Sequence, residues 1–107
     1  MTTLPSQIRD QIEAAMLTDK KPYWEAAQFF FEYDRNLSKA LENAHKATNA
    51  NPTAYWMHLY KARIQQEMGY TKEAMESSLL SLELARQAKN TDYVDMNKQL
   101  QKELKKK

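Results

Sequence analysis

QEMGYTKEAM, residues 66–75, holds the only glycine of a 107-residue chain. It stands where one helical stripe, Trp56, Leu59, Tyr60, Ile64 and Met68, gives way to another, Ala74, Met75, Ser78, Leu79, Leu82 and Ala85. A chain that avoids glycine elsewhere keeps one where a helix must stop and reverse. The residue just past a helix end commonly takes a left-handed conformation, which glycine adopts without a steric penalty. Gly69 therefore predicts a tight turn between two antiparallel helices, and Ala74 predicts that the second crosses close to the first.

Helical periodicity extends outward from this turn in both directions. Upstream, Leu37, Ala40, Leu41, Ala44, Ala47 and Thr48 form a small-residue stripe that stops at NANP, and Thr53 is the expected cap of the next helix. Before it, Pro22 opens a segment with Trp24, Ala27, Phe30 and Phe31 on one side. Ile8, Ile12, Ala15 and Met16 mark a leading helix over residues 4–18. Downstream, KNTD reads as a stop with a cap at Thr91 or Asp92, followed by Tyr93, Met96, Leu100 and Leu104 over residues 91–105. No stretch alternates with period two, so the expected fold is all-α with about six helices.

Two of these hairpins repeat. PYWEAAQFFFEYDRNLSKALENAHKATNANP and AYWMHLYKARIQQEMGYTKEAMESSLLSLELA both begin with Tyr-Trp and continue as helix, tight turn and alanine-marked helix. Ala40 and Ala74 lie 34 positions apart, the period of a tetratricopeptide repeat. Both copies resemble that family. Trp24, Ala27, Phe31, Ala40, Ala44, Ala47 and Pro52 carry the likeness in the first, and Ala62, Gly69 and Ala74 in the second. The second departs at Gln65, Ser78 and Arg86, where the family has an aromatic, a large residue and proline. The resemblance implies a single domain over residues 1–107, with repeats at 22–52 and 53–88 in a right-handed superhelix and residues 91–105 as a capping helix. Tyr55-Trp56, Lys61-Ala62, Gly69, Ala74, Ser81-Leu82, Leu84-Ala85 and DYVDMN are also similar to the C-terminal helical region of a family of uncharacterised bacterial proteins. There a β-rich domain of unknown function precedes the helices, which implies that this chain is a piece of a larger, exported (periplasmic) protein.

Composition narrows the functions. The absence of Cys removes disulfides, thiolate nucleophiles and cysteine-ligated metals. Sixteen basic against fourteen acidic residues, interspersed apart from the lysine-rich end, do not suggest nucleic acid. The lysines suit the negative end of a last helical turn. No segment reaches signal-peptide or membrane-span hydrophobicity, so a soluble chain without membrane insertion is expected.

No complete catalytic constellation emerges, and neither an enzyme nor a cofactor is expected. Glu42-x-x-His45 has the spacing of a helical metal pair, but the second such pair of a di-iron bundle is missing, and a metal protein on Glu42 and His45 is kept as a second alternative. Ser77, Ser78 and Ser81 sit beside no histidine and read as packing residues. The remaining surface is the one the family resemblance implies, a concave groove lined by the first helix of each repeat. Carried over, its positions are Glu25, Phe29, Glu32 and Tyr33 from repeat one, with Leu59, Arg63, Gln66 and Glu67 from repeat two. The expected function is a noncatalytic interaction or scaffold module holding a protein or peptide segment. The alternative is a structural domain that docks on an upstream domain or self-associates as a homo-oligomer; an exposed apolar patch around Phe29 and Phe30 would favour it.

Overall fold

The computed structural model describes residues 22–106. They form five α-helices in sequence: α1 (Tyr23–Glu32), α2 (Leu37–Ala50), α3 (Tyr55–Glu67), α4 (Thr71–Gln87) and α5 (Thr91–Lys105), with no strand among the described residues. The leading helix expected over residues 4–18 lies outside them. Each helix packs on the next in the chain, and α3 also meets α5. No described helix is long and apolar enough to cross a membrane.

Helix α3 lies between two clusters. On one side Ile64 inserts among Ala26, Ala27, Phe29 and Phe30 of α1 and Ala40 and Ala44 of α2. On the other, Leu59 and Ala62 pack with Ala74 of α4 and Leu100 and Leu104 of α5. Alanines supply much of both contacts, which lets the backbones approach closely, and Ala74 is fully buried as its small size predicts. Edge-to-face aromatic pairs add lateral ties. Tyr60 meets Trp24 at 5.0 Å and Phe31 at 5.4 Å, joining α3 to α1, while Tyr55 meets Tyr93 at 5.0 Å, joining α3 to α5.

Gly69 adopts φ +82°, the left-handed conformation its position requires. Its N–H donates to Gln66 O (3.1 Å) and the Tyr70 N–H donates to Gln65 O (2.9 Å), the paired bonds of a Schellman C-cap. The same bonds recur twenty positions later, from Lys89 N–H to Arg86 O (3.0 Å) and from Asn90 N–H to Ala85 O (2.9 Å), with Lys89 at φ 60°. A side chain at this position costs about 1 kcal/mol or more. Nothing lies within 4 Å of a Cβ placed on Gly69, so strain there is purely of the backbone. Gly69→Ala is therefore expected to lower stability by about 1 kcal/mol and Lys89→Gly to raise it by up to about 1 kcal/mol, read from urea unfolding midpoints. Equal effects of the same sign would exclude this explanation.

Several local expectations need correction. Arg35 takes the left-handed conformation after α1 (φ 54°), and Asn36 caps α2 by accepting from Lys39 N–H at 3.1 Å. Arg35 is held there by donating to Phe31 O at 2.6 Å and by lying over the Phe31 ring. Thr53 does not cap α3, because residues 51–54 close a turn through Ala54 N–H to Asn51 O (3.1 Å) and the helix begins beyond it at Tyr55. Asn90, not Thr91 or Asp92, caps α5, accepting from Tyr93 N–H at 3.1 Å. Trp56 and Leu79, expected in buried stripes, are 42% and 49% exposed. Helix α3 is buried on more than one side, and His58 and Gln65, outside its apolar stripe, are sheltered.

Those sheltered polar groups are mostly satisfied. Fully buried Asn97 accepts from Ser78 Oγ (2.9 Å) and donates to Ser81 Oγ (2.9 Å) and Tyr93 O (2.9 Å). Ser81 in turn donates to Tyr55 O at 2.7 Å, and Ser77 donates to Gln65 at 2.7 Å. The three serines are thus packing residues, as their size suggests, and also cross-links between α3, α4 and α5.

Candidate functional site

Helices α1, α3 and α5 border a cleft of about 610 Å³. Helix α3 contributes Arg63, Gln66 and Glu67, three of the residues expected in a groove, and α1 contributes Phe31. The opposite wall is α5, through Asp95, Met96, Gln99, Leu100 and Glu103. Successive turns of α5 project Asp95, Gln99 and Glu103 along one stripe, while Met96 and Leu100 form a second, apolar one. Met96 is 36% exposed and Leu100 is buried.

Polar contacts set the cleft walls. Gln66 Nε2 donates to Glu103 Oε2 at 3.2 Å across the cleft, from α3 to α5. Glu67 pairs with Arg35, tying the end of α3 to the turn after α1. Both of those side chains are about half exposed, so the pair contributes little to stability and serves chiefly to place charge. Burial, reinforced by the Glu32 carboxylate, raises the Tyr60 phenol far above its ordinary pKa, so the ring stays neutral behind the wall.

The remaining expected groove residues are not all brought together. Phe29 and Leu59 are 3% and 2% exposed and belong to the two core clusters, so neither presents a side chain to a partner; this corrects their assignment to the groove. They lie inward because the turns of α1 and α3 that carry them face neighbouring helices on both sides. Phe30 is buried as well, so Phe29 and Phe30 form no exposed apolar patch. Glu25 lines a separate recess of about 260 Å³ beside Ala47, Asn51 and Met57. Glu32 and Tyr33 are exposed at the end of α1, with Tyr33 stacked on Phe29 at 6.1 Å. The wall contributed by α5 was not anticipated, because the helix reads as a lysine- and glutamine-rich cap. The spacing of Asp95, Gln99 and Glu103 is the signal that marks it.

Glu42 and His45 are exposed on α2 and border a different recess of about 450 Å³ with Leu41, Met68 and Tyr70. Glu42 pairs with Lys46 at 3.3 Å. Among the described residues no three His, Asp or Glu side chains converge closely enough to hold a metal ion.

His58 is the one buried histidine among the described residues, and its geometry fixes its protonation. A carbonyl accepts only from an N–H, so Nε2, 2.9 Å from Pro52 O, carries the proton, while Nδ1 is buried without a partner. Protonating Nδ1 would bury an uncompensated charge. Desolvation outweighs the Pro52 bond and, together with the nearby Lys61 ammonium, lowers the pKa from 6.5. Above 6.5 neither the folded nor the unfolded chain binds this proton; below it the unfolded chain takes it up first, so stability falls with pH until the depressed folded pKa is reached. Urea unfolding at pH 7.5 and 5.5 is expected to show a larger drop for the wild type than for His58→Gln. Parallel drops would exclude His58 as the source.

Compared with protein-family models, curated proteins and solved structures, the chain returns no match.

Proposed function

We propose that the chain is a noncatalytic protein-interaction module of the tetratricopeptide-like class, with hairpins α1–α2 and α3–α4 as its two repeats and α5 closing a right-handed superhelix. In this reading a peptide or protein segment lies in the cleft between α1, α3 and α5. The observation that carries it is the cleft itself: alternate helices along the chain border one concave space lined by apolar, carboxylate, amide and guanidinium groups. Such a mixture suits recognition of an extended or helical segment, with apolar anchors inside and polar groups at the rim. A structural docking role is the second reading, favoured by Leu79 and Leu80, which are 49% and 47% exposed on α4.

Affinity capture from source-cell extract separates the two. The proposal expects a protein retained by the wild-type chain and by Leu79→Ser/Leu80→Ser, and lost by Met96→Lys/Gln99→Lys, with the helicity of every variant confirmed by circular dichroism. Loss only with the α4 variant would transfer the interaction to that outer face.

A further inference from the structure

The charge of the cleft specifies the chemistry of its occupant. The whole chain is +2, yet among the described residues the carboxylates at the cleft outnumber its cations: Glu67, Asp95 and Glu103 stand against Arg63, and Glu67 already engages Arg35. Among the described residues Asp95 forms no ion pair, and Glu103 receives only the neutral amide of Gln66. Both are exposed, two turns apart on α5, and Met96 lies between them. The helix is electrostatically divided, since Lys98, Lys102, Lys105 and Lys106 are exposed but do not line the cleft. An occupant approaching this wall meets negative charge flanking a flexible thioether, with Phe31 across the cleft.

We infer that the occupant is a cationic, amphipathic peptide segment of another protein, whose Lys or Arg side chains approach Asp95 and Glu103 while an apolar residue packs on Met96 and Phe31. Two features specify this occupant. Charge complementarity selects the sign, because an acidic segment would oppose two carboxylates with one guanidinium, Arg63, to answer them. The apolar floor selects amphipathicity, because a purely polar cation would leave Met96 and Phe31 in water, and methionine adapts its shape to varied anchors. This inference rests on the cleft being the binding site, and the test separates failure of the two.

The test uses a displayed library of random dodecapeptides, with the full chain as bait, followed by fluorescence anisotropy of the enriched peptides. The result expected is enrichment of Lys or Arg together with apolar residues, and affinity falling about tenfold or more for Asp95→Lys/Glu103→Lys at unchanged helicity. Raising the salt concentration is expected to weaken the same peptides. Enrichment of Asp and Glu, with binding lost in Arg63→Glu, would overturn the cationic assignment and leave the cleft as the site. Peptides indifferent to both variants, or no enrichment, would overturn the assignment and the cleft together. A concentration-dependent dimer abolished by Asp95→Lys/Glu103→Lys would also overturn it, giving the acidic wall to the lysines of a second copy.

Discussion

Replacing Asn97 with leucine is expected to lower the unfolding free energy by about 2–4 kcal/mol, although leucine is apolar and close in size. The reason is the set of groups that Asn97 serves. Its amide oxygen is the acceptor of the fully buried Ser78 hydroxyl, and its Nδ2 reaches both Ser81 and the Tyr93 carbonyl. Leucine leaves the Ser78 donor with only the backbone oxygen of residue 97, at 3.4 Å. An unmade bond to a buried group costs about 1–3 kcal/mol, whereas removing both partners can be nearly neutral. A double-mutant cycle checks this account: Ser78→Ala should cost much less in the leucine background than in the wild type. Equal costs would mean that the two side chains are not coupled.

The second large effect is expected at Ile64. It is fully buried and is the branched aliphatic that α3 sets among the alanines of α1 and α2. Ile64→Ala is expected to cost about 2–5 kcal/mol, toward the upper part of that range, because Ala26, Ala27, Ala40 and Ala44 have no long side chains to swing into the cavity. Ile64→Val removes one methylene and is expected to cost about 0.5–1.5 kcal/mol. Chemical unfolding of the two variants gives both numbers; similar small losses would show that the cluster collapses around the gap. The substitution also loosens the fully buried aliphatic link from α3 to the first hairpin, so its effect should appear in hydrogen-exchange protection of α1 and α2.

These sites mark what the sequence discloses and what it hides. Gly69 and Ala74 are legible because a left-handed turn and a close helix crossing each restrict the residue type severely. Arg35 and Lys89 hold the same left-handed conformation with residues that carry no such signal, since local hydrogen bonds and packing outweigh the strain. Apolar periodicity locates the five described helices and places Thr48 and Ser78 on buried faces, but it misjudges faces at His58 and Asn97. It favours Trp56 over His58 and Met96 over Asn97, although the second residue of each pair is the buried one. Hydrogen bonds accompany both, with Ser78 and Ser81 of α4 for Asn97 and with the Pro52 carbonyl for His58, and no apolar pattern reports them.

The cleft was half legible for a related reason. Arg63, Gln66 and Glu67 follow from the repeat, because one helix face carries all three. Phe29 and Leu59 fail because the helices that carry them are enclosed by neighbours. Asp95 and Glu103 look like ordinary solvated charges until α5 is seen opposite α3, and only tertiary packing makes a wall of them.

Site-specific photocrosslinking tests the binding cleft most directly. Benzoylphenylalanine would replace Gln99 inside the cleft in one protein, and exposed Glu83 on α4, outside it, in another. After irradiation in source-cell extract, the account predicts a discrete protein adduct at position 99 and none at position 83. An adduct only at position 83, equal adducts at both, or none at either would contradict a binding cleft between α1, α3 and α5.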